Sequence, residues 1–394
     1  MTSVRRSPLL PIFLIVLIDL LGFTIILPLL PFYSERLGAS PFVFGLIVST
    51  YAACQLIAGP ILGRMSDHFG RKPLLIASQM GTLAGFLILA YARVLWVVFL
   101  ARAIDGFTAG NLSLAQAYIS DVTRPENRAK AFGIIGIAFG VGFAAGPAIS
   151  GLLSPISYQA PILAAAALSF GSILCTTFLL PRNPPLPEGM LPEDRQQARR
   201  PGVFDVSVYG QYFRRPELRR LLLQFAFFTF AFSTFVSGFA LFAERRFHFG
   251  AKDVSYMFAY LGVLGIVMQG GILGRLVKRF GEGPLARAGF LFAVLGAVAL
   301  ALTYQKAVLW VVVGLFSMGT GVLRPSLTSL ITRVAGRHEQ GAVLGITQSL
   351  QAVTQIVAPP LGTALIGAGM TVGWAGLAAV AALAGLLIPF RGKS

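Results

Sequence analysis

The sequence predicts an all-α membrane protein of twelve transmembrane helices, arranged as two related six-helix bundles. Three observations support this fold class: long apolar blocks, few charged residues, and one motif that occurs twice. Hydrophobic residues make up 56% of the 394 residues and charged residues only 12%, whereas a soluble protein carries roughly 25% charged residues. The apolar blocks are about 20 residues long or longer, which is enough for a helix to cross ~30 Å of hydrocarbon.

A twelve-residue motif occurs once in each half of the chain, each time between two apolar blocks. Residues 63–74 read G-R-M-S-D-H-F-G-R-K-P-L, and residues 274–285 read G-R-L-V-K-R-F-G-E-G-P-L. Repetition at such a distance is typical of membrane proteins built from two related halves. We therefore expect both copies to serve the same mechanical purpose.

The apolar blocks define the predicted domains and spans. Residues 1–181 form the first bundle, residues 182–218 a cytoplasmic linker rich in proline and charge, and residues 219–394 the second bundle. The linker composition cannot bury a core of its own. The predicted spans cover residues 9–32, 42–63, 73–92, 95–119, 131–153, 159–181, 219–243, 254–276, 285–304, 307–332, 341–367 and 372–390.

The basic residues indicate how the chain is oriented in the membrane. Most of the 32 lysine and arginine residues fall on the side that holds both termini and the linker, and the positive-inside rule makes that side cytoplasmic. We expect a multi-pass protein of the cytoplasmic (inner) membrane with both termini in the cytoplasm. The net charge of +17 then reflects topology and attraction to anionic lipids. Because the basic residues are spread over separate segments, nucleic-acid binding is not expected.

Four local patterns carry more specific information. The first is residues 63–72 of the repeated motif, and the second is residues 19–31 in span one, D-L-L-G-F-T-I-I-L-P-L-L-P. The third begins with R-A-I-D-G in span four and continues through residues 102–128. The fourth is a series of glycines followed by proline in span five, residues 133–151.

Together these patterns resemble the major facilitator superfamily, and within it the twelve-helix drug:proton antiporters related to tetracycline efflux proteins. The resemblance covers the whole chain. The repeated loop marks the superfamily, whereas the pattern of span five resembles antiporters and not uptake carriers. The resemblance implies two bundles related by a pseudo-twofold axis, which alternate access by rocking against each other.

The resemblance also implies a cytoplasmic gate around the first copy of the motif. The two glycines of this copy permit a tight reversal. Asp67 and Arg71 are four residues apart and meet if the segment is helical; the resemblance implies that Asp67 caps the N-terminus of span eleven and that Arg71 bridges to Asp121. For Arg71 and Lys72, a plain contribution to cytoplasmic positive charge is the alternative. The predicted gate residues are Gly63, Asp67, Gly70, Arg71, Lys72, Asp121 and Arg128.

The second copy of the motif reverses the charges of this gate. It places Lys278, Glu282 and Arg333 where the first half has an acidic, a basic and an acidic residue. Either each half keeps a charge latch of its own sign, or the basic loops have drifted. A lysine cannot cap a helix N-terminus as an aspartate can, so we expect only the first latch to favour the outward-facing state.

The glycine pattern of span five predicts a smooth helix face. Small residues at regular spacing let transmembrane helices approach closely, and a proline in the helix permits a bend because it lacks an N–H group. Generic packing of small residues is the alternative to a specific antiporter motif. The predicted motif residues are Gly133, Gly142, Gly146, Pro147 and Gly151.

Three charged residues inside spans, Asp19, Arg102 and Asp105, are predicted to couple transport to protons. Intramembrane charges are costly and therefore functional by default. Asp19 and Asp105 each lie about ten residues into a span, which places them at ~15 Å depth. A static ion pair between Arg102 and Asp105 is an open alternative, as is a hydrogen bond of Asp19 at a helix bend.

The predicted substrate cavity contains polar residues of spans four, seven, ten and eleven. Six phenylalanines of span seven would form a wall for bulky, amphiphilic ligands, unless they serve packing. Arg324 could contact an anionic substrate, snorkel toward the cytoplasm or have a structural partner. The predicted cavity residues are Asn111, Gln224, Thr229, Ser233, Arg324 and Gln351.

The sequence therefore predicts a secondary active transporter that exports a drug-like, lipophilic or amphiphilic molecule in exchange for protons, as in multidrug efflux and antibiotic resistance. The alternatives are an uptake carrier for a small polar or anionic solute and a lysolipid or lipid translocator. No G-x-x-x-x-G-K-[ST] loop is present in the sequence, so the proton gradient is the expected energy source, without a cofactor.

We expect neither an enzyme nor a metal site, because the three histidines fall in separate loops. The expected partners are the small-molecule substrate, protons and membrane lipids. The expected functional state is a monomer.

Overall fold

The computed structural model describes residues 9–123, 128–181, 206–336 and 339–389. Within these ranges the chain forms α-helices and one π-helical turn, and no strand. The helices before the linker are α1 (Leu9–Ile26), α2 (Leu30–Arg36), α3 (Pro41–Phe69), α4 (Arg71–Ala90), α5 (Leu95–Phe107), α6 (Asn111–Val122), α7 (Arg128–Leu153) and α8 (Gln159–Leu179). Those after it are α9 (Val206–Arg214), α10 (Pro216–Phe247), α11 (Ala251–Val267), the π-turn (Met268–Ile272), α12 (Leu273–Phe280), α13 (Glu282–Leu302), α14 (Lys306–Ala335), α15 (Gln340–Gly367) and α16 (Thr371–Leu387).

Most predicted spans are single helices of membrane-crossing length. Among the described residues, nine helices are long and apolar enough to cross a bilayer, and α1 with α2 forms a tenth candidate that bends by 44°. Predicted span four is divided into α5 and α6, and predicted span twelve is the 17-residue helix α16. The all-α membrane fold is confirmed, while the count of twelve stays a prediction.

The chain divides into two compact units. The first unit comprises Met1–Leu27 and Cys54–Arg199, and the second comprises Pro28–Ala53 and Arg200–Ser394. The second unit therefore includes α2 and the first half of α3. The predicted domain limits at residues 181 and 219 stay a prediction.

In the first unit, α1 packs against α7 and α8, and α4 packs against α5 and α8. Lipid tails are as apolar as these side chains, so the helices associate through close packing and interhelical hydrogen bonds instead of removal from water. The buried core includes Ile12, Ile15, Val16, Leu74, Leu75, Leu114, Tyr118, Ile119 and Ala138.

In the second unit, α10 is the central helix and contacts α14, α15 and α16. Its phenylalanines pack against other aromatic rings: Phe235 stacks on Phe316 with ring centroids 4.4 Å apart, and Phe242 lies 4.9 Å from Trp374. The indole N–H of Trp374 donates a hydrogen bond to the carbonyl of Thr234 at 2.9 Å. These rings form part of the core, so the packing alternative holds for Phe235, while an aromatic wall formed by the other phenylalanines of span seven stays a prediction.

Two arginines at the C-terminal end of α10 donate hydrogen bonds to backbone carbonyls at the ends of neighbouring helices. Arg246 donates a hydrogen bond to the carbonyl of Ala301 in α13 at 2.7 Å, and Arg245 donates to the carbonyl of Ile366 in α15. Helix C-termini carry unpaired carbonyls and a partial negative charge. Arg245 also lies 3.5 Å from the Glu35 carboxylate, so the two arginines connect four helices.

A hydroxyl group compensates for a proline in α15. Pro360 has no N–H group, so the carbonyl of Ile356, four residues earlier, lacks its helical donor. Ser49 Oγ of α3 donates to that carbonyl at 2.6 Å. Gly45 makes this approach possible, because a Cβ there would lie 2.6 Å from the Cα of Pro360.

Helices α13 and α14 approach each other backbone to backbone through glycines. A Cβ at Gly319 would lie 2.6 Å from the carbonyl oxygen of Gly289 and 2.7 Å from the amide nitrogen of Ala293. A Cβ at Gly296 would lie 2.7 Å from the amide nitrogen of Phe316. The missing side chains therefore set the distance between these two helices.

This contact predicts that Gly319→Ala lowers the stability of the folded chain by about 1–3 kcal/mol, because overpacking forces the two backbones apart. The matched control is Gly321→Ala in the same helix, where a Cβ meets nothing within 4 Å. Thermal unfolding of the detergent-purified chain should show a lower Tm for the first variant and an equal or higher Tm for the control. Equal shifts in both variants would contradict the packing argument.

Candidate functional site

Two glycines make the helix reversals that the repeated motif predicts. Gly70 joins α3 to α4 with φ +91°, and Gly281 joins α12 to α13 with φ +79°. Only glycine adopts this backbone region without strain. The expectation that Gly63 takes part in the reversal is wrong, because α3 continues as a helix through Gly63 to Phe69.

Arg71 is the centre of a charged cluster in the first unit. Its Nη2 lies 2.6 Å from Asp67 Oδ1, and its Nε lies 3.0 Å from Asp121 Oδ2. Its Nη1 donates a hydrogen bond to Ser66 Oγ. One guanidinium at the start of α4 thus connects the end of α3 with the end of α6. The contact of Asp67 with span eleven stays a prediction.

Lys72 caps the C-terminal end of α8. Its Nζ donates hydrogen bonds to the carbonyls of Thr177 and Leu180, both at 2.7 Å. A cation at this position satisfies unpaired carbonyls and the helix dipole. Lys72 therefore has structural partners in addition to its topological charge. The predicted gate residue Arg128 and motif residue Gly133 lie in the part of α7 whose side chains are outside the described residues.

The second half carries an ion pair of the reversed sign. Glu282 Oε2 lies 3.0 Å from Arg333 Nη1, and Glu282 Oε1 accepts a hydrogen bond from Ser329 Oγ. Lys278 has no ion pair within 4.0 Å among the described residues. The Arg333 side chain is 74% exposed, so water weakens this pair. The reversed latch is a pair and not the predicted triad.

A further ion pair joins the end of the linker to the start of α15. Arg215 donates to both carboxylate oxygens of Glu339, at 2.6 and 2.7 Å. These hydrogen bonds hold the pKa of Glu339 below its ordinary value. No pattern in the sequence predicts this pair, because the two residues lie 124 positions apart and match no motif.

The glycines of the span-five motif place α7 against α1. Thr24 Oγ1 of α1 donates a hydrogen bond to the carbonyl of Gly142 at 2.8 Å. A Cβ at Gly142 would lie 2.9 Å from Leu20 Cβ, and a Cβ at Gly146 would collide with the Thr24 side chain. The helix continues through Pro147 and Gly151.

Asp19 lies inside the first unit, beside Gln79 of α4 and Ser172 of α8. Gln79 Nε2 donates a hydrogen bond to Ser172 Oγ at 2.7 Å. Both carboxylate oxygens of Asp19 are buried, and neither has a hydrogen-bond partner of good geometry among the described residues. An ionised carboxylate in such a place is costly, whereas a hydroxyl of the protonated form has amide and hydroxyl acceptors next to it.

A buried ion pair lies close to this carboxylate. Arg102 Nη2 is 3.0 Å from Asp105 Oδ2, and each side chain is 5% exposed. Thr82 lies beside Asp105, and the Asp105 charge acts on Asp19. The structure therefore brings the three residues predicted for proton coupling into one cluster, which we call the acidic cluster (Asp19, Arg102 and Asp105).

Helix α5 ends two residues after Asp105, and the break to α6 is satisfied by one serine. Ser78 Oγ donates to the carbonyl of Thr108 and accepts a hydrogen bond from the amide of Gly110 at 3.0 Å. Irregular backbone at membrane depth requires such internal partners. The predicted cavity residue Asn111 begins α6 directly after the break, and its Oδ1 is buried without a partner among the described residues.

Three other residues predicted for a cavity are packed inside the second unit. Gln224, Thr229 and Ser233 are 0%, 3% and 8% exposed. Gln224 Nε2 donates to the carbonyl of Ile388 at 3.0 Å, and Thr229 Oγ1 donates to the carbonyl of Phe225 at 2.9 Å. The expectation that these three residues line open space is wrong, since their side chains are buried and buried polar side chains take hydrogen-bond partners within the protein.

Arg324 and Gln351, the remaining predicted cavity residues, form a pair. Arg324 Nη2 of α14 donates a hydrogen bond to Gln351 Oε1 of α15 at 2.8 Å. The arginine side chain is exposed and the glutamine is partly buried. This pair is the part of the predicted cavity that meets open space in the second unit.

Three residues of the site were missed by the sequence interpretation. The surroundings of the acidic cluster include Gln79, Ser172 and Ser78. These residues belong to none of the four patterns described above. Their signal was weak: a glutamine in the middle of an apolar span is unusual, but serines are common in membrane helices.

The role of Ser78 at the helix break predicts that Ser78→Ala destabilises the chain by about 1–3 kcal/mol, because a buried carbonyl and a buried amide lose their partner. Ser113→Ala is the control, since the Ser113 hydroxyl donates only to the carbonyl of Gly110 in its own turn. The comparison uses thermal unfolding in detergent. A control variant as unstable as Ser78→Ala would exclude this role.

Comparison of the chain with known proteins identifies its family. The chain matches the Major Facilitator Superfamily over residues 12–359. It is 32% identical to the class C tetracycline resistance protein of Escherichia coli, over 92% of this chain and 90% of that protein. It is 26% identical to multidrug resistance protein 2 of Bacillus subtilis, over 88% and 86%.

A solved structure has the same fold. The human organic anion transporter MFSD10 (TETRAN) is 24% identical and covers 97% of this chain and 99% of its own, with a TM-score of 0.71. The match over most of the length agrees with the repeated loop, its two glycine reversals and the paired Arg71–Asp121 charges. The chain is a multi-span membrane transporter, not an enzyme, and belongs to the Major Facilitator Superfamily.

Proposed function

We propose that this transporter exports a lipophilic or amphiphilic, drug-like molecule in exchange for protons. The observation that carries the proposal is the acidic cluster inside the first unit. It contains two carboxylates and one guanidinium within a few helical turns, and therefore one negative charge without a cation. A proton is the smallest ion that can neutralise this charge, and a membrane interior strongly favours neutrality.

The position of Asp19 supports reversible proton binding. Arg102 is already engaged with Asp105, which leaves Asp19 as the carboxyl group that takes the proton. Gln79 and Ser172 beside it offer both donors and acceptors, so they accommodate the charged and the neutral form. The proton gradient then supplies the energy of transport without a cofactor.

The relatives support the direction and the class of substrate. The Escherichia coli relative is named for tetracycline resistance and the Bacillus subtilis relative for multidrug resistance. Both names fit export of bulky organic compounds. Placement in the cytoplasmic membrane, cytoplasmic termini and a monomeric working state belong to the same proposal.

The first experiment measures proton-driven accumulation in everted membrane vesicles with an acidified lumen. We expect the vesicles to accumulate tetracycline or other lipophilic compounds of a test panel, and a protonophore to abolish the accumulation. Asp19→Asn should remove the dependence on the gradient while the protein is made in normal amounts, because the amide keeps the size of the side chain but cannot exchange a proton.

The matched control is Asp253→Asn. Asp253 lies at the start of α11 and accepts a hydrogen bond from the amide of Gly250, an interaction that asparagine retains. This variant should keep full coupling. Coupling that survives in Asp19→Asn would contradict the proton site, and gradient-driven accumulation in right-side-out vesicles would assign uptake instead of export.

The two charge latches should differ in strength. Asp121→Asn removes a partner from a pair whose side chains are 21% and 22% exposed, whereas Arg333→Gln removes the 74% exposed partner of Glu282. Because exposed pairs contribute little, we expect the first variant to slow transport several-fold and the second to change it by less than about twofold. Initial rates at equal expression test this, and equal effects would refute the inequality.

A further inference from the structure

The inference concerns Arg324 and rests on the proposed function. Arg324 lies eleven residues before the end of α14 at Ala335, and Gln351 lies eleven residues after the start of α15 at Gln340. At 1.5 Å per residue both lie about 16 Å from the cytoplasmic helix ends. The hydrogen bond between them therefore holds the guanidinium at the depth of the hydrocarbon core, and the arginine does not snorkel to the surface.

The charge of Arg324 has no acidic partner in the part of the chain that the structure describes. Among the residues that the structure describes, no carboxylate lies within 4.0 Å of its guanidinium. A guanidinium carries five N–H donors, and the contact with Gln351 uses one of them. An exposed cation at this depth cannot face lipid without great cost, so it faces a water-filled path.

The residues around Arg324 form a polar face. Ser317, Gly321 and Thr328 precede or follow it at helical spacing on α14, and all three are partly buried. On α15 the glutamines also recur at helical spacing: Gln348 lies three residues before Gln351, and Gln355 lies four residues after it. These two faces meet at the Arg324–Gln351 hydrogen bond. The two faces carry hydroxyl and amide groups, which can donate hydrogen bonds, and Arg324 is the charged residue among those named here.

We propose that Arg324 and Gln351 bind the anionic group of the transported molecule, and that the substrates are amphiphilic organic anions such as carboxylates or sulfonates. The planar fork of arginine matches the oxygens of these groups. Gln351 orients the guanidinium through its carbonyl oxygen and keeps its own amide N–H groups available to the same anion.

The test uses two probes with the same aromatic skeleton. 1-Anilinonaphthalene-8-sulfonate is the anion, and N-phenyl-1-naphthylamine is its uncharged counterpart. Binding is measured by fluorescence with the purified chain in phosphatidylcholine nanodiscs, after subtraction of empty nanodiscs. We expect tighter binding of the sulfonate by the wild type. Arg324→Gln should weaken sulfonate binding about tenfold or more and leave binding of the amine unchanged.

Two further variants separate this role from a structural one. Arg324→Lys keeps the charge but not the planar fork, so it should retain more of the sulfonate affinity than Arg324→Gln and less than the wild type. Arg275→Gln removes a cation from α12, outside the site, and should leave both probes unaffected. Equal weakening of both probes in Arg324→Gln, or no weakening, overturns the proposal, as does failure of the wild type to bind the sulfonate.

The remaining arms address the source of the anion and the underlying function. If phosphatidylglycerol in the nanodiscs competes with the sulfonate in the wild type but not in Arg324→Gln, the site takes a lipid headgroup and the proposal of an organic anion substrate is wrong. If proton-driven transport of the amine persists while binding of the sulfonate does not depend on Arg324, the proposed anion site is wrong and the proposed function stands. If the wild type shows no gradient-driven transport at all, the proposed function itself is rejected.

Discussion

The structure depends on one constraint: at membrane depth, every polar backbone group and every charge must find its partner inside the protein. Side chains meet this constraint at two places where a helix is interrupted or carries a proline. Ser78 satisfies the break between α5 and α6, and Ser49 replaces the N–H group that Pro360 cannot supply. At the helix ends Lys72 and Arg246 donate to unpaired carbonyls. The fold can therefore contain breaks and prolines near its functional residues without exposing backbone to lipid.

Among the described residues, two charges at membrane depth, of opposite sign, lie without a counter-ion of their own. In the first unit the acidic cluster contains one carboxylate more than its arginine can neutralise. In the second unit Arg324 contacts an amide but no carboxylate among the described residues. Both are costly in an apolar surrounding, and this cost is the basis of the proton site and the anion site that we propose.

The sequence predicted what depends on local pattern and missed what depends on tertiary contact. The helical fold and the Gly70 reversal followed from pattern and spacing. The Arg71–Asp121 pair followed from the family resemblance, and the Glu282–Arg333 pair followed from it by alignment of the two halves. The break in span four was not visible, because it depends on Ser78 from another helix. Gln224 was interpreted as a cavity residue, yet it bonds to the end of α16. Hydropathy shows that a polar residue lies within a span but does not show which way it points.

The sign reversal between the two halves has a consequence for assembly of the chain in the membrane. Arg71 faces Asp121 within the first half, and Glu282 faces Arg333 within the second. The two segments share six of their twelve residues and emerge from the same machinery one after the other. A mistaken pairing of helices would bring Arg71 against Arg333, or Glu282 against Asp121, and like charges repel. Opposite polarity thus disfavours pairing between the two repeats, and it favours the folding of each related segment with the helices of its own half.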